Sequence, residues 1–268
     1  MQASGDIFDR TRLLVGDEGM SRLAAARVIV FGVGGVGSWC AEALVRSGIG
    51  HLTLVDPDVV AASNVNRQLM ATSENIGQVK VEALRERLLS INPSASITAL
   101  ADRFSAENAD SFDLSSYDYV VDAIDSLSDK AALILAACAS PATLFSSMGA
   151  ARKLDPTHVK VAGFWDVQGC PLGQALRKRF RRAARAAANA GLPVDASIYP
   201  ARKFLCVYDE DVLDNKGSSS QTHNGTLAHI TGIFGLTLAG LVIQDICVGE
   251  GSRPSRVKAK CIDNMPHV

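Results

Sequence analysis

Four glycines in Gly32-Val33-Gly34-Gly35-Val36-Gly37 have the G-x-G-x-x-G spacing and follow directly on an apolar run, Val28-Ile29-Val30-Phe31. In that context glycines permit a tight turn and close backbone approach, and the helix that follows turns free N–H groups and a partial positive charge toward phosphate. Asp56 comes nineteen residues after Gly37, at the end of a second apolar run, where a carboxylate can accept hydrogen bonds from a ribose. These features alone suit a nicotinamide or flavin dinucleotide as well as ATP, and a turn by itself would also use the glycines. Three further groups favour ATP: Asp58 with Asn64, Arg67 and Gln68 in the next loop; Lys80 in Gly77-Gln78-Val79-Lys80; and Asp125 in Asp122-Ala123-Ile124-Asp125. They add two cations and at least two carboxylates. Nucleotidyl transfer needs cations for a triphosphate and a carboxylate for Mg²⁺, whereas hydride transfer has little use for them. Taken singly, Lys80 fits a solvated helix residue and Asp125 a helix N-cap; together they fit a nucleotide site.

The elements that must carry these residues alternate as strand and helix. Strands are expected at 28–31, 51–56, near 97, at 117–123 and at 143–147, with helices at 36–46, 78–90 and 129–139 between them. The fold class is therefore α/β and Rossmann-like, a mainly parallel sheet at least five strands wide, flanked by helices and followed by a C-terminal elaboration. Beyond Gly149 the pattern predicts a strand at 159–165, a helix at 172–189, a strand at 204–208, a mobile Gly/Ser/Asn-rich loop at 215–225 and an apolar helix at 227–244. No stretch is linker-like enough to split the chain. Residues 1–268 read as one domain, with an ATP-binding part at about 8–150 and a substrate-binding elaboration at about 151–268.

The predicted helix at 172–189 holds Arg177, Lys178, Arg179, Arg181, Arg182 and Arg185, six cations in nine positions with no acid among them. On a helix they spread around most of the circumference, while Leu176 and Phe180, spaced i and i+4, face the protein. Such a run serves either as a solvated face or as an RNA contact, and RNA is the favoured reading. The formal net charge of −1 excludes a protein that coats nucleic acid by bulk electrostatics, yet without those six cations the remainder stands at −7. Residues 227–244 lack Asp, Glu, Lys and Arg and as a helix would reach about 27 Å, close to a bilayer core. Three glycines, two threonines and His229 dilute them, so a buried core helix is expected, without stable membrane association. The six cysteines form no C-x-x-C, and Asp6, Asp9, Arg10 and Arg12 replace the apolar stretch of a secretory signal. Reduced thiols and a cytoplasmic location follow as expectations.

Taken in order, GVGGVG, DPDVVAASNVNRQ, GQVKV and DAID resemble the motif series of the ubiquitin-activating-enzyme-like adenylyltransferases, across roughly residues 8 to 150. The resemblance implies that Gly32, Gly34, Gly35 and Gly37 hold ATP, Asp56 its ribose, Arg67 and Lys80 its phosphates, and Asp125 the Mg²⁺ ion. Asp58, Asn64 and Gln68 would line the site. Arg10, in FDRTRLLVGDEG, occupies the place of an arginine that reaches the triphosphate of a partner subunit, which implies a homodimer. FDRTRLLVGDEG, INP at 91–93, VDAIDSLSDKAALI at 121–134, GAARKLDPTHVKVA at 149–162 and PLGQALRKRFRR at 171–182 look more narrowly like the tRNA threonylcarbamoyladenosine dehydratase branch, over roughly 8 to 185. Cys170 departs from that branch, which usually has an acid before the Pro-Leu pair.

The implied activity is ATP-dependent cyclisation of threonylcarbamoyladenosine beside the tRNA anticodon. Adenylation makes a carboxylate oxygen a good leaving group, and the closing nitrogen belongs to the same nucleoside, so effective molarity is high and no cysteine nucleophile is required. Were a thiol used, Cys170 and Cys206 would be the candidates. Activation of the C-terminus of a ubiquitin-like sulfur carrier is the alternative, although such enzymes commonly carry two zinc C-x-x-C pairs; nucleotide binding without adenylation is a third. Expected partners are tRNA bearing threonylcarbamoyladenosine, a second copy of the chain and a sulfur-relay protein.

Overall fold

The computed structural model describes residues 6–217 and 224–248. Seven strands form one sheet in the order β3-β2-β1-β4-β5-β7-β6: β1 (Arg27–Phe31), β2 (His51–Val55), β3 (Ser96–Leu100), β4 (Tyr119–Asp122), β5 (Thr143–Ser147), β6 (Lys160–Gly163) and β7 (Leu205–Tyr208). All neighbours are parallel except β6 and β7. Val28, Ile29, Val30 and Phe31 are wholly buried, as a central strand covered on both faces requires. The sequence predicted at least five strands; the sheet gains its last two from the C-terminal part, because β7 pairs with β5 through Ser146 and Cys206.

Helices cover both faces. On one side lie α1 (Asp9–Ala25), α2 (Gly37–Arg46), α3 (Lys80–Ile91) and α6 (Ala228–Val248); on the other lie α4 (Leu127–Ala139) and α5 (Pro171–Asn189). The sequence reading did not foresee α1. Gly16, at φ +72°, breaks it, and Leu13 and Leu14 stand almost fully exposed, so its apolar residues follow no single face. Helix α4 begins two residues before the expected start, with Ser126 as its N-cap.

The apolar stretch at 227–244 forms most of α6, whose Ile230, Phe234, Leu238, Ala239, Val242 and Ile246 are buried. It is the one described helix long and apolar enough to cross a membrane, and half of that span is buried in the protein. A Cβ at Gly235 would lie 2.3 Å from the Val36 carbonyl oxygen and 2.8 Å from Trp39 Cβ, so α6 crosses close against the start of α2. This contact reaches the glycine loop. Residues 218–223 of the expected mobile loop lie outside the described residues.

Candidate active site

Strand β1 pairs with β2 on one side and β4 on the other, so the chain leaves the sheet in opposite directions there and opens a crevice beyond the carboxyl ends. The glycine loop leaves β1 on one side of this crevice, and the Asp122–Asp125 segment leaves β4 on the other. Gly32 has φ +82°, and a Cβ there would lie 2.8 Å from the Ala123 carbonyl oxygen. At Gly37 a Cβ would lie 1.9 Å from the Gly32 oxygen. The tight turn thus demands glycine at both ends of the loop.

The loop brings several of the sequence-predicted residues together. A Cβ on Gly34 would sit 3.6 Å from Gln68 Nε2, and one on Gly35 would sit 3.5 Å from Arg67 Cγ. Gln68 is buried, and its Oε1 has no hydrogen-bond partner among the described residues. Arg67 donates from Nη1 to the Ser63 carbonyl at 2.7 Å and to Asn66 Oδ1 at 3.0 Å. Asn64 is also buried, its Oδ1 accepting the Ala61 N–H at 2.9 Å, so that oxygen shapes the loop. Ser38, Trp39 and Thr231 were missed in the sequence. The Ser38 hydroxyl donates to the Gly34 carbonyl at 2.6 Å and accepts the Leu69 N–H at 3.2 Å. The Trp39 indole donates to the Arg67 carbonyl at 3.2 Å, and Thr231 of α6 packs against Gly35.

Asp56 is buried at the end of β2. Its Oδ2 accepts the Val33 N–H at 2.9 Å and its Oδ1 the Asp58 N–H at 3.0 Å. Burial holds its carboxyl above the ordinary aspartate value, against the opposing pull of Lys80 and these bonds. Lys80, the first residue of α3, is 5% exposed and donates to Asp58 Oδ2 at 2.8 Å, with Asp56 Oδ1 3.9 Å away. It is therefore a buried, doubly flanked cation instead of a solvated helix residue. The Lys80 N–H to Asp58 carbonyl bond and the Val59 to Val79 bridge tie the two loops together.

Asp122 and Asp125 have opposite environments. Asp122 is fully buried: Lys130 Nζ lies 2.8 Å from its Oδ2, the Ser146 hydroxyl donates to that oxygen at 2.7 Å, and the Ile124 N–H reaches Oδ1 at 3.1 Å. Lys130 also donates to the Ile124 carbonyl at 2.8 Å. Asp122, named in the sequence only as the first residue of the motif that ends at Asp125, is thus committed to the fold. Asp125 is exposed and makes no hydrogen bond or ion pair with any described residue. Ser126 takes the N-cap position, so Asp125 is not the cap. Lys130 was also missed, though a lone lysine in an otherwise apolar helix (AALILAACA follows it) was the available signal.

Beyond β5 and β7, Lys153 is buried, donating to the Asp211 carbonyl and lying 3.9 Å from Asp209 Oδ1. Asp209 is fully buried, with Oδ2 unpartnered among the described residues. The two candidate thiols are closed off. Cys206 lies on β7 with no exposure, and burial drives its thiol well above the ordinary value; Cys170 is 1% exposed at the N-cap of α5 and packs in the core. Neither is open to an acyl group. Arg10 is exposed on α1.

On α5, Leu176 and Phe180 are buried as their spacing required. The six cations occupy about 200° of arc at 3.6 residues per turn, about half of the circumference instead of most of it, because the other half packs on the protein. Arg177 donates to the Phe164 carbonyl at 3.2 Å, and the Arg181 guanidinium lies 5.4 Å from the Trp165 ring centre. Lys178, Arg179, Arg182 and Arg185 are exposed and make no ion pair with described residues. A groove of about 490 Å³, lined by Lys178, Arg179 and Arg182 on one side, meets Leu127 on the other. Leu127 is the first residue of α4, two positions beyond Asp125. The basic face therefore adjoins the turn that carries the free carboxylate. No group of three or more His, Cys, Asp or Glu among the described residues is arranged to hold a metal.

Known proteins resemble this chain in sequence and fold. The tRNA threonylcarbamoyladenosine dehydratase of Bacillus subtilis is 34% identical over 245 residues, 89% of this chain and 94% of its own. The dehydratase of the same name from Escherichia coli K12 is 40% identical over 174 residues, 65% of each chain. The solved structure of E. coli tRNA N6-threonylcarbamoyladenosine dehydratase in complex with ATP superposes with a TM-score of 0.77 at 32% identity, covering 92% of this chain and 96% of that one. The ThiF family model matches residues 8–264, and the chain belongs to the ThiF family.

Proposed function

We propose that the protein is an ATP-dependent tRNA dehydratase that cyclises threonylcarbamoyladenosine next to the anticodon. The observation that carries this reading is the junction of two unlike surfaces: a nucleotide-type crevice ending at the free Asp125, and a cationic groove that begins at Leu127. The B. subtilis and E. coli relatives carry the same activity in their names.

The crevice fits ATP. Gly32, Gly34, Gly35 and Gly37 would receive the phosphates, Asp56 the ribose, and the open Gln68 acceptor a donor of the nucleotide. Arg67 and Lys80 supply positive charge, with Asp58 and Asn64 holding the loop around them. One exposed carboxylate is a fitting anchor for Mg²⁺, which takes one or two carboxylates and completes its shell with phosphates and water; Asp125 fills that role, and the ion would neutralise charge on the triphosphate.

The threonyl carboxylate attacks the α-phosphorus, and pyrophosphate leaves. A nitrogen of the same nucleoside then bonds the activated carbonyl carbon, releasing AMP and its proton. The exposed cations of α5 hold the tRNA backbone, so the protein's task in ring closure is positioning. Arg10 extends from α1 beside the exposed apolar Ile7, Leu13 and Leu14, a surface suited to a second copy whose triphosphate Arg10 would reach. The fold is read as one adenylation domain.

Incubation with labelled ATP and either tRNA bearing threonylcarbamoyladenosine or a ubiquitin-like sulfur carrier tests the reading. AMP and pyrophosphate should appear with the tRNA. Turnover with the carrier alone would overturn the assignment, and turnover with neither would leave only nucleotide binding.

A further inference from the structure

The cationic band of α5 has two edges. One is the groove that meets Leu127, two residues beyond Asp125. On the other, an aromatic series runs outward from the core: Phe180 meets Phe164 edge-on at 5.9 Å between ring centres, Phe164 meets Trp165 edge-on at 5.0 Å, and Trp165 stacks on Tyr199 at 5.1 Å with 15° between planes. Phe164 is further clamped by a stacked contact with Phe204 at 4.9 Å. Trp165 and Tyr199 are each half-buried, and Arg181 of the basic helix lies over the Trp165 ring. Trp165, stacked on Tyr199 and capped by Arg181, and Tyr199, which makes no other ring contact among the described residues, thus stand at the margin of a patch whose other members, Lys178, Arg179, Arg182 and Arg185, make no ion pair with described residues.

This combination matches single-stranded RNA. Phosphates are drawn by unpaired cations, and an unstacked base gains about 1–3 kcal/mol by lying on an aromatic face without regard to its identity. Duplex RNA offers no free base face. We infer that the Trp165–Tyr199 stack, with Arg181, is a base-stacking platform for an unpaired nucleotide of the substrate's loop, bound across α5 from the nucleotide that enters the groove beside Asp125. The helix is about 10–12 Å wide, so the two contacts fall on separate nucleotides of one strand. A loop held at both edges of the helix presents the modified nucleotide in one orientation, and the platform contributes a preference for unpaired RNA that the cations lack. The inference rests on the tRNA reading of α5 and adds to it the form of RNA that is recognised.

Binding of a tRNA anticodon stem-loop transcript, and separately of its stem duplex, is measured against salt for the full chain and five variants. Trp165→Leu and Tyr199→Leu should each weaken stem-loop binding about 5- to 160-fold, the range of one lost stack. Their log affinity against log salt slope should match the wild type, and duplex binding should not change. The quadruple replacement of Lys178, Arg179, Arg182 and Arg185 by Gln should instead flatten the slope for both RNAs. Trp165→Phe and Tyr199→Phe keep an aromatic face and should keep most of the affinity, and thermal unfolding identifies any variant that loses affinity by misfolding. Intrinsic fluorescence of the folded wild type should fall when stem-loop binds and not when duplex binds. Full affinity in folded Leu variants, equal loss for stem-loop and duplex, or absent quenching would overturn the platform. An unchanged salt slope in the quadruple variant would overturn the tRNA reading of α5 itself.

Discussion

The nucleotide crevice and the outer face of α5 both gather charge, but by opposite means. In the crevice Asp56, Lys80, Asp122 and Lys130 are buried, and each has an oppositely charged neighbour or backbone partner. On α5, Lys178, Arg179, Arg182 and Arg185 are exposed and have no ion-pair partner among the described residues. Chemistry at a phosphorus atom needs groups fixed before substrate arrives, so the fold accepts the desolvation cost of burying charges and offsets it with hydrogen bonds. A phosphate backbone is attracted over several ångströms and tolerates adjustment, so on the proposed tRNA reading solvated cations would serve. Asp122 and Asp125 show the same division within four residues: one is locked into the floor of the site, the other is left open above it.

Breaking the buried side should have the largest effect. Lys130→Met leaves the Asp122 carboxylate buried without its cation and should destabilise the protein by about 3–5 kcal/mol, seen as a lower denaturation midpoint. Lys130→Met with Asp122→Leu should recover much of that loss, since no charge is then stranded; no recovery would show that the pair does more than compensate itself. Asp125→Ala tests the open partner. Folding stability should stay within about 0.5 kcal/mol of wild type, while AMP formation should fall by about 10²–10³, the scale of one lost charge-stabilising group. Near-normal turnover would remove Asp125 from the machinery.

The exposed side should respond to salt more than to denaturant. Neutralising the four free cations of α5 should reduce the salt slope of tRNA binding by about 3, from about 0.7–0.9 per phosphate contact, with little change in thermal unfolding. A matching loss of stability would mean that the band belongs to the fold, and the contrast with the crevice would collapse.

Titration sharpens the contrast with smaller effects. Burial raises the Asp56 pKa, and Lys80 only partly offsets it, so the folded state holds that proton more tightly than the unfolded chain. Its contribution to stability is present below the unfolded value and is lost as pH rises through the raised folded value; at neutral pH the ionised group costs stability. ATP affinity should therefore fall on acidification already above the ordinary aspartate range, and Asp56→Asn should bind more weakly and lose that pH dependence. Glu42 runs the other way. Burial raises it, but hydrogen bonds from Arg87 and Arg46 outweigh burial and leave the carboxyl low. Its contribution is present above the unfolded value and lost as pH falls through the lowered one, so Glu42→Gln should flatten the acid side of a stability–pH curve.

The two regions were not equally legible. The glycine loop, Asp56 and Asp125 could be read because each sits at a strand end that local hydrophobic pattern already marks, and Leu176 with Phe180 declared the inner face of α5 by spacing alone. Helix α1 escaped because its exposed leucines and the break at Gly16 follow no amphipathic period. Taken singly, Lys80 was left between a solvated helix face and the site, because the burial that decides it depends on a bridge from Val59 to Val79, a pairing between two loops. The thiols show the same limit: the chemistry required no cysteine nucleophile, but only their depth, with Cys170 and Cys206 sealed in the core, closes the question.

Local pattern determined what each segment becomes, since strand and helix periods and the glycine, proline and capping residues act within a few positions. Which segments meet is another matter, settled by the summed packing of surfaces far apart in the chain. Only the tertiary structure seats Thr231 of α6 against Gly35, draws Lys130 under Asp122 and away from the site, and lays the groove of α5 beside Asp125. A residue's type specifies the chemistry it is able to do; its depth and its neighbours, which no local period encodes, decide whether that chemistry supports the fold or faces a substrate.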